Sequence, residues 1–123
     1  MPERRVILTV GRNLQNLELL SRFLGKAGYE SVSVNRMEDF DHALDSVSKI
    51  DLALVDLAGF DHHIWDRCDR LRTAQIPFLI ISAGHLTTVQ QDGVRHGARA
   101  VLMKPLASKD LLGMIRGLLR EPA

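Results

Sequence analysis

The run Ile50-Asp51-Leu52-Ala53-Leu54-Val55-Asp56 constrains the fold more than any other stretch of the chain. Five of its seven residues are apolar, and neither Gly nor Pro interrupts them. A strand with one face in water alternates polar and apolar side chains. A strand covered on both faces by helices has no need to, and reads as a nearly continuous apolar run. The segment therefore predicts an interior strand of a parallel sheet, with Asp56 at its carboxyl end. In open α/β sheets that edge is where ligands and chemistry collect, because loops and helix N-termini converge there.

The remaining segments fit around such a strand. Val6 to Val10 is a first apolar strand, punctuated by Gly11-Arg12-Asn13. From Leu14 to Ala27 the apolar residues Leu17, Leu20, Leu24 and Ala27 recur at helical steps, and Gly28 supplies a stop. Tyr29 to Val34 reads as a weaker strand at or near a sheet edge. Phe40, Ala43, Leu44 and Val47 share one face of a short helix over Glu38 to Val47. After Asp56 and a loop through Asp61, a helix from about His62 to Arg72 turns Ile64, Cys68 and Leu71 inward. Pro77 to Ser82 is a fourth strand ending in a hydroxyl, and Ala83-Gly84-His85 turns away from it.

Thr87 to His96 is a poorer helix. It has Gly93 inside it and few apolar anchors beyond Val89 and Val94, so it is expected to be the most mobile. Ala100 to Met103 is the fifth strand, ended by Lys104-Pro105, with Ser108 as the expected N-cap of the last helix. Leu111, Leu112, Ile115, Leu118 and Leu119 give that helix a broad apolar stripe. Strand followed by helix, five times over, predicts a doubly wound five-stranded parallel sheet with helices on both faces, a flavodoxin-like (βα)5 arrangement.

Composition closes off several function classes. The 123 residues, 46% hydrophobic and 25% charged, suit a single domain over 1–123. A formal net charge of +1 supplies no dense positive field for nucleic acid. No apolar run has transmembrane length, and Met1-Pro2-Glu3-Arg4-Arg5 leads into a strand without a signal-peptide core. The single Cys68 cannot form an internal disulfide, which agrees with a reducing compartment. A cytoplasmic location is expected.

Three polar residues fall at three strand ends: Asp56, Ser82 and Lys104. A carboxylate, a hydroxyl and an ammonium on one edge suit a phosphoryl group, which needs donors and a cation around it. With the segments Leu54-Val55-Asp56-Leu57, Ile80-Ile81-Ser82-Ala83, Gly97-Ala98 and Met103-Lys104-Pro105-Leu106, the chain resembles the receiver domain of bacterial response regulators over essentially its whole length. The resemblance implies a signalling module rather than an enzyme. It implies Asp56 as acceptor of a phosphoryl group from a histidine kinase or phosphotransfer protein. Ser82 and Lys104 are implied as the groups that bind and read that phosphoryl group.

The family also carries an acidic pair directly after the first strand, which helps hold Mg²⁺ together with the phosphoacceptor and a backbone carbonyl two residues beyond it, here that of Ala58. Gly11 and Arg12 stand at those two positions. Mg²⁺ requires hard oxygen ligands. A guanidinium roughly 5 Å from a divalent ion costs on the order of 6 kcal/mol at an effective dielectric of about 20. No cofactor is therefore expected, and Mg²⁺ only through Asp56 and the Ala58 carbonyl. Two placements are open for Arg12: a solvated surface residue, or a built-in counter-ion to Asp56 standing in for the metal. Val101 replaces the aromatic switch residue that the family commonly has in strand five, and Gly59-Phe60 replaces its usual Met-Pro.

By the same resemblance, the face made by the fourth helix, fifth strand and fifth helix is expected to meet an output domain or a second copy, with Arg95, Arg99 and Arg116 as candidates. A phosphorylation-independent pseudo-receiver acting as an interaction domain is the alternative. A flavin-binding reading is disfavoured, because no Gly-rich phosphate loop follows the first strand. Adjacent His62 and His63 on a helix would point apart and make a poor chelate beside Asp61, and His85 stands alone beyond Ser82. Cys68 is expected to be packing, and Trp65 a partly exposed contact on the third helix.

Overall fold

Five strands and five helices alternate along the chain: β1 (Val6–Val10), α1 (Leu14–Lys26), β2 (Glu30–Val34), α2 (Met37–Ser46), β3 (Leu52–Asp56), α3 (Ile64–Thr73), β4 (Phe78–Ser82), α4 (Thr87–Arg95), β5 (Ala100–Met103) and α5 (Ser108–Leu119). The structure is a computed structural model and describes residues 4–47, 49–83 and 87–120. The expectations for Met1 to Glu3, Gly84 and His85 lie outside the described residues. The strands form one parallel sheet in the order β2-β1-β3-β4-β5, so β3 is central and β2 lies at an edge, as its mixed sequence predicts.

Continuous apolar strands supply side chains to both faces, and each face has its own core. On one, Ile7, Leu54 and Ile81 pack with Leu24 of α1 and with Leu111, Ile115 and Leu119 of α5. On the other, Leu8, Val55 and Ile80 pack with Phe40 and Ala43 of α2 and with Ile64, Cys68 and Leu71 of α3. Burial pushes the Cys68 thiol up to about 12, which leaves it an inert packing group. Arg67 of α3 grips Asp41 of α2 with two contacts, Nε to Oδ1 at 3.0 Å and Nη2 to Oδ2 at 2.8 Å.

Several boundaries depart from the sequence pattern for visible reasons. β3 begins at Leu52 rather than Ile50, because Asp51 leaves the strand geometry to bracket β1. Its N–H donates to the Val6 carbonyl at 2.8 Å, and its Oδ2 accepts the Val6 N–H at 2.8 Å. Ser108 is the first residue of α5 and not its N-cap; Ala107 holds that position and has no side-chain acceptor to offer. Asn13 does cap α1, accepting the Asn16 N–H at 3.0 Å. Val94 is not an anchor of α4, being 65% exposed.

What seats α4 is the absence of a side chain at Gly93. A Cβ there would stand 2.7 Å from Val101 Cγ2, so the helix backbone lies directly on β5. At its C-terminal end the His96 ring donates from Nδ1 to Asp69 Oδ1 at 2.8 Å and stacks on Trp65 with ring centroids 4.9 Å apart. Trp65 is thus a half-buried link from α3 to the end of α4.

Candidate functional site

Strand register alone brings the three candidate residues to one edge. Asp56, the last residue of β3, is level with Ile81 of β4, and Ser82 is level with Met103 of β5, so Lys104 follows immediately beyond. The Lys104 N–H donates to the Ser82 carbonyl at 2.9 Å and holds the two strand ends together as they leave the sheet. Lys104 Nζ lies 2.7 Å from Asp56 Oδ2. The other oxygen, Oδ1, accepts the Ala58 N–H at 3.1 Å. Both Asp56 and Lys104 are partly buried, with 19% and 32% of their side chains exposed, and a short charge-assisted contact in that setting is stronger than a surface pair. Ser82 is buried.

Gly11 lies at the end of β1, its N–H donating to the Val34 carbonyl at 3.1 Å. A Cβ built on it would stand 3.6 Å from the Cβ of Asp56, so position 11 faces the site but contributes no group to it. Arg12 is exposed. Its guanidinium sits over the Phe60 ring, 5.4 Å from the centroid, and Nη1 donates to the Asn35 carbonyl at 3.4 Å. The counter-ion role open to Arg12 in the sequence is therefore filled by Lys104, and the arginine packs outward on the following loop. That loop needs Gly59, which has φ +81° and would place a Cβ 3.0 Å from Arg12 Cγ.

The Mg²⁺ implied by the resemblance does not fit this donor set. Position 11 has no side chain, position 12 turns a cation elsewhere, and both oxygens of Asp56 already accept from Lys104 and Ala58. Too few of the hard oxygen ligands that this ion requires remain.

The structure also places side chains that the pattern did not bring together. Asp61, His62 and His63 lie in the exposed turn before α3 rather than on it, so their ligand atoms come within 4.8 Å of one another. Within that turn His63 donates its N–H to Asp61 Oδ1 at 2.9 Å, which holds the Asp61 carboxyl below its usual range. Arg95 and Arg99 are exposed and Arg116 is half-buried.

Between α1 and α5, a cavity of about 660 Å³ opens beside the Asp56–Lys104 pair. Sequence periodicity cannot reveal it, because it depends on the gap between two helices that are distant in the chain.

A five-stranded parallel sheet in this order, with helices on both faces, is the fold of CheY-like response-regulator receiver domains. The fold superposes on the crystal structure of a CheY-like receiver domain protein from Methanospirillum hungatei with a TM-score of 0.86, at 20% identity, covering 96% of this chain and 95% of that one. In sequence the chain is 34% identical over 121 residues to the transcriptional regulatory protein GltR of Pseudomonas aeruginosa, a match that covers 95% of this chain and 50% of the relative. It is 31% identical over 118 residues to the probable transcriptional regulatory protein SilR of Salmonella typhimurium, covering 94% and 51%. The chain spans about half the length of these curated relatives. No family model matches it. Among the described residues, no helix is long and apolar enough to cross a membrane.

Proposed function

We propose that the chain is the input module of a larger regulator and that Asp56 accepts a phosphoryl group from a phosphohistidine of a kinase or phosphotransfer protein. The observation that carries this reading is the ammonium of Lys104 held 2.7 Å from the acceptor carboxylate. A carboxylate oxygen attacks phosphorus, the O–P bond forms as the N–P bond breaks, and the imidazole leaves with the electron pair and takes up a proton. The acyl phosphate adds negative charge at the carboxylate. Lys104 is already placed to meet that charge, and buried Ser82 lies on the adjoining strand end. No step runs through a metal. Output follows through the α4–β5–α5 face, where Arg95 and Arg99 stand exposed for a partner domain or a second copy.

A second reading, a phosphorylation-independent interaction module, is favoured by the missing carboxylates at Gly11 and Arg12. Intact mass after incubation with acetyl phosphate separates the two. Phosphotransfer predicts a gain of one phosphoryl group in the native chain and none in Asp56→Ala. A gain that survives Asp56→Ala, or none in the native chain, contradicts it.

A further inference from the structure

The turn that carries the chain from β3 into α3 presents three metal-ligating side chains to solvent. Asp61, His62 and His63 are exposed, and their ligand atoms, one from each residue, lie within 4.8 Å of one another. Successive residues inside a helix would point apart. Here both histidines precede Ile64, the first residue of α3, and their rings stand with centroids 4.3 Å apart at a tilt of 31°. Asp61 holds His63 twice: its Oδ1 accepts the backbone N–H at 2.9 Å and lies 3.1 Å from ring Nδ1.

The spacing suits one ion shared by the three residues. Bonds of about 2.0–2.1 Å to nitrogen and oxygen put neighbouring ligands of a tetrahedral ion roughly 3.3 Å apart. The 3.1 Å between His63 Nδ1 and Asp61 Oδ1 is close to that edge. With its proton on Nε2, the His63 ring offers the Nδ1 lone pair to a metal. The His62 ring has no hydrogen-bond partner among the described residues, so it joins by side-chain rotation alone, without giving up a hydrogen bond.

The surrounding charges admit a cation. The positive pole at the start of α3 opposes one, but Asp61 just before the helix and Asp66 in its first turn bring two carboxylates to that end. Arg67 Nη1 donates to the His63 carbonyl at 3.3 Å, and the same guanidinium is paired with Asp41. The Arg12 guanidinium is seated over the Phe60 ring.

We propose that Asp61, His62 and His63 form a surface site for a divalent transition-metal ion of the zinc, nickel and copper group, with water completing its coordination. Two imidazoles and a carboxylate select this class over Mg²⁺, which takes hard oxygen ligands. The proposal does not rest on phosphorylation of Asp56. It concerns the opposite end of the loop that leaves Asp56, whose near end is tied by the Ala58 N–H to Asp56 Oδ1. Occupancy therefore fixes both ends of that loop.

The test uses the untagged full chain, stripped of metal and titrated calorimetrically with ZnCl2, NiCl2 and MgCl2. One Zn²⁺ or Ni²⁺ is expected to bind per chain, on the order of a hundredfold or more tighter than Mg²⁺. His62→Ala and His63→Ala should each weaken Zn²⁺ binding about tenfold or more, the double variant should lose it, and His42→Ala should leave it unchanged. Circular dichroism checks that each variant is folded. Imidazole NMR of the native chain needs no variant: Zn²⁺ should shift the His62 and His63 signals and spare those of His42 and His96. The proposal is overturned by the absence of saturable Zn²⁺ and Ni²⁺ binding or by comparable affinity for Mg²⁺. Full binding by the folded double variant, or shifts confined to the other histidines, would overturn it as well.

Discussion

Gly93→Ala should destabilise the protein, against the ordinary preference of helices for alanine. In an exposed helix interior this change gains about 1 kcal/mol, through lower backbone entropy in the unfolded chain. Here the new Cβ would stand 2.7 Å from Val101 Cγ2, with Ile80 Cγ1 at 3.7 Å and Ala98 Cβ at 3.8 Å behind it. Val101 is β-branched and stiff at χ1, and it is held in the middle of β5, so it cannot turn aside cheaply. Overpacking of this kind costs about 1–3 kcal/mol. The balance is a net loss of about 1 kcal/mol.

Val101→Ala removes the obstructing methyl at a cost of its own of about 1 kcal/mol. In that background Gly93→Ala should stabilise by about 0.5–1 kcal/mol, so the two sites couple by about 1–2 kcal/mol. Urea unfolding of the four proteins, with slopes checked for equality, measures the cycle. A Gly93→Ala variant more stable than the native chain, or an effect of the same sign in both backgrounds, would refute direct packing of α4 on β5 through this glycine.

Three further outcomes follow from the site and its supports. A double-mutant cycle of Lys104→Met and Asp56→Asn should give a coupling of about 1–2 kcal/mol, between the surface and buried limits for ion pairs, and a coupling near zero would deny the pair in solution. Asp41 is held below its usual range, chiefly by its hydrogen bond to Arg67. A depressed folded-state value means stability present above the unfolded value and lost as pH falls through the folded one. Asp41→Asn should therefore cost about 0.5–1 kcal/mol at neutral pH, discounted for solvent screening, and nothing measurable once acid has protonated the native carboxyl. Gly11→Asp with Arg12→Asp should create Mg²⁺ binding detectable by calorimetry, and an affinity equal to that of the native chain would show that these positions do not face the ion site.

Most of the architecture was legible in the chain because apolar periodicity reports burial directly. The uninterrupted runs at β3 and β4 predicted interior parallel strands, and the mixed run at β2 predicted an edge. Within the site, Asp56 and Lys104 could be brought together by strand ends alone. Arg12 could not be placed, since its direction depends on Phe60 and on the backbone passage at Gly59. Asp51 read as part of a strand because periodicity is blind to a carboxylate that takes over a backbone hydrogen bond. Gly93 and Val94 show the same limit from the other side. A pattern search counts the valine as an anchor and the glycine as a flaw, whereas the helix sits on its glycine and exposes its valine. The cavity was invisible for a simpler reason: it lies between residues separated by most of the chain.

The metal dependence of phosphotransfer tests the reading of Asp56 most directly. Acetyl phosphate is added to the native chain in parallel with excess Mg²⁺ and with EDTA, and intact mass and peptide mapping follow the product over time. Lys104 as the charge partner, with a donor set unsuited to Mg²⁺, predicts the same extent of labelling at Asp56 in both samples. Labelling that requires Mg²⁺, or no labelling in either, would contradict it.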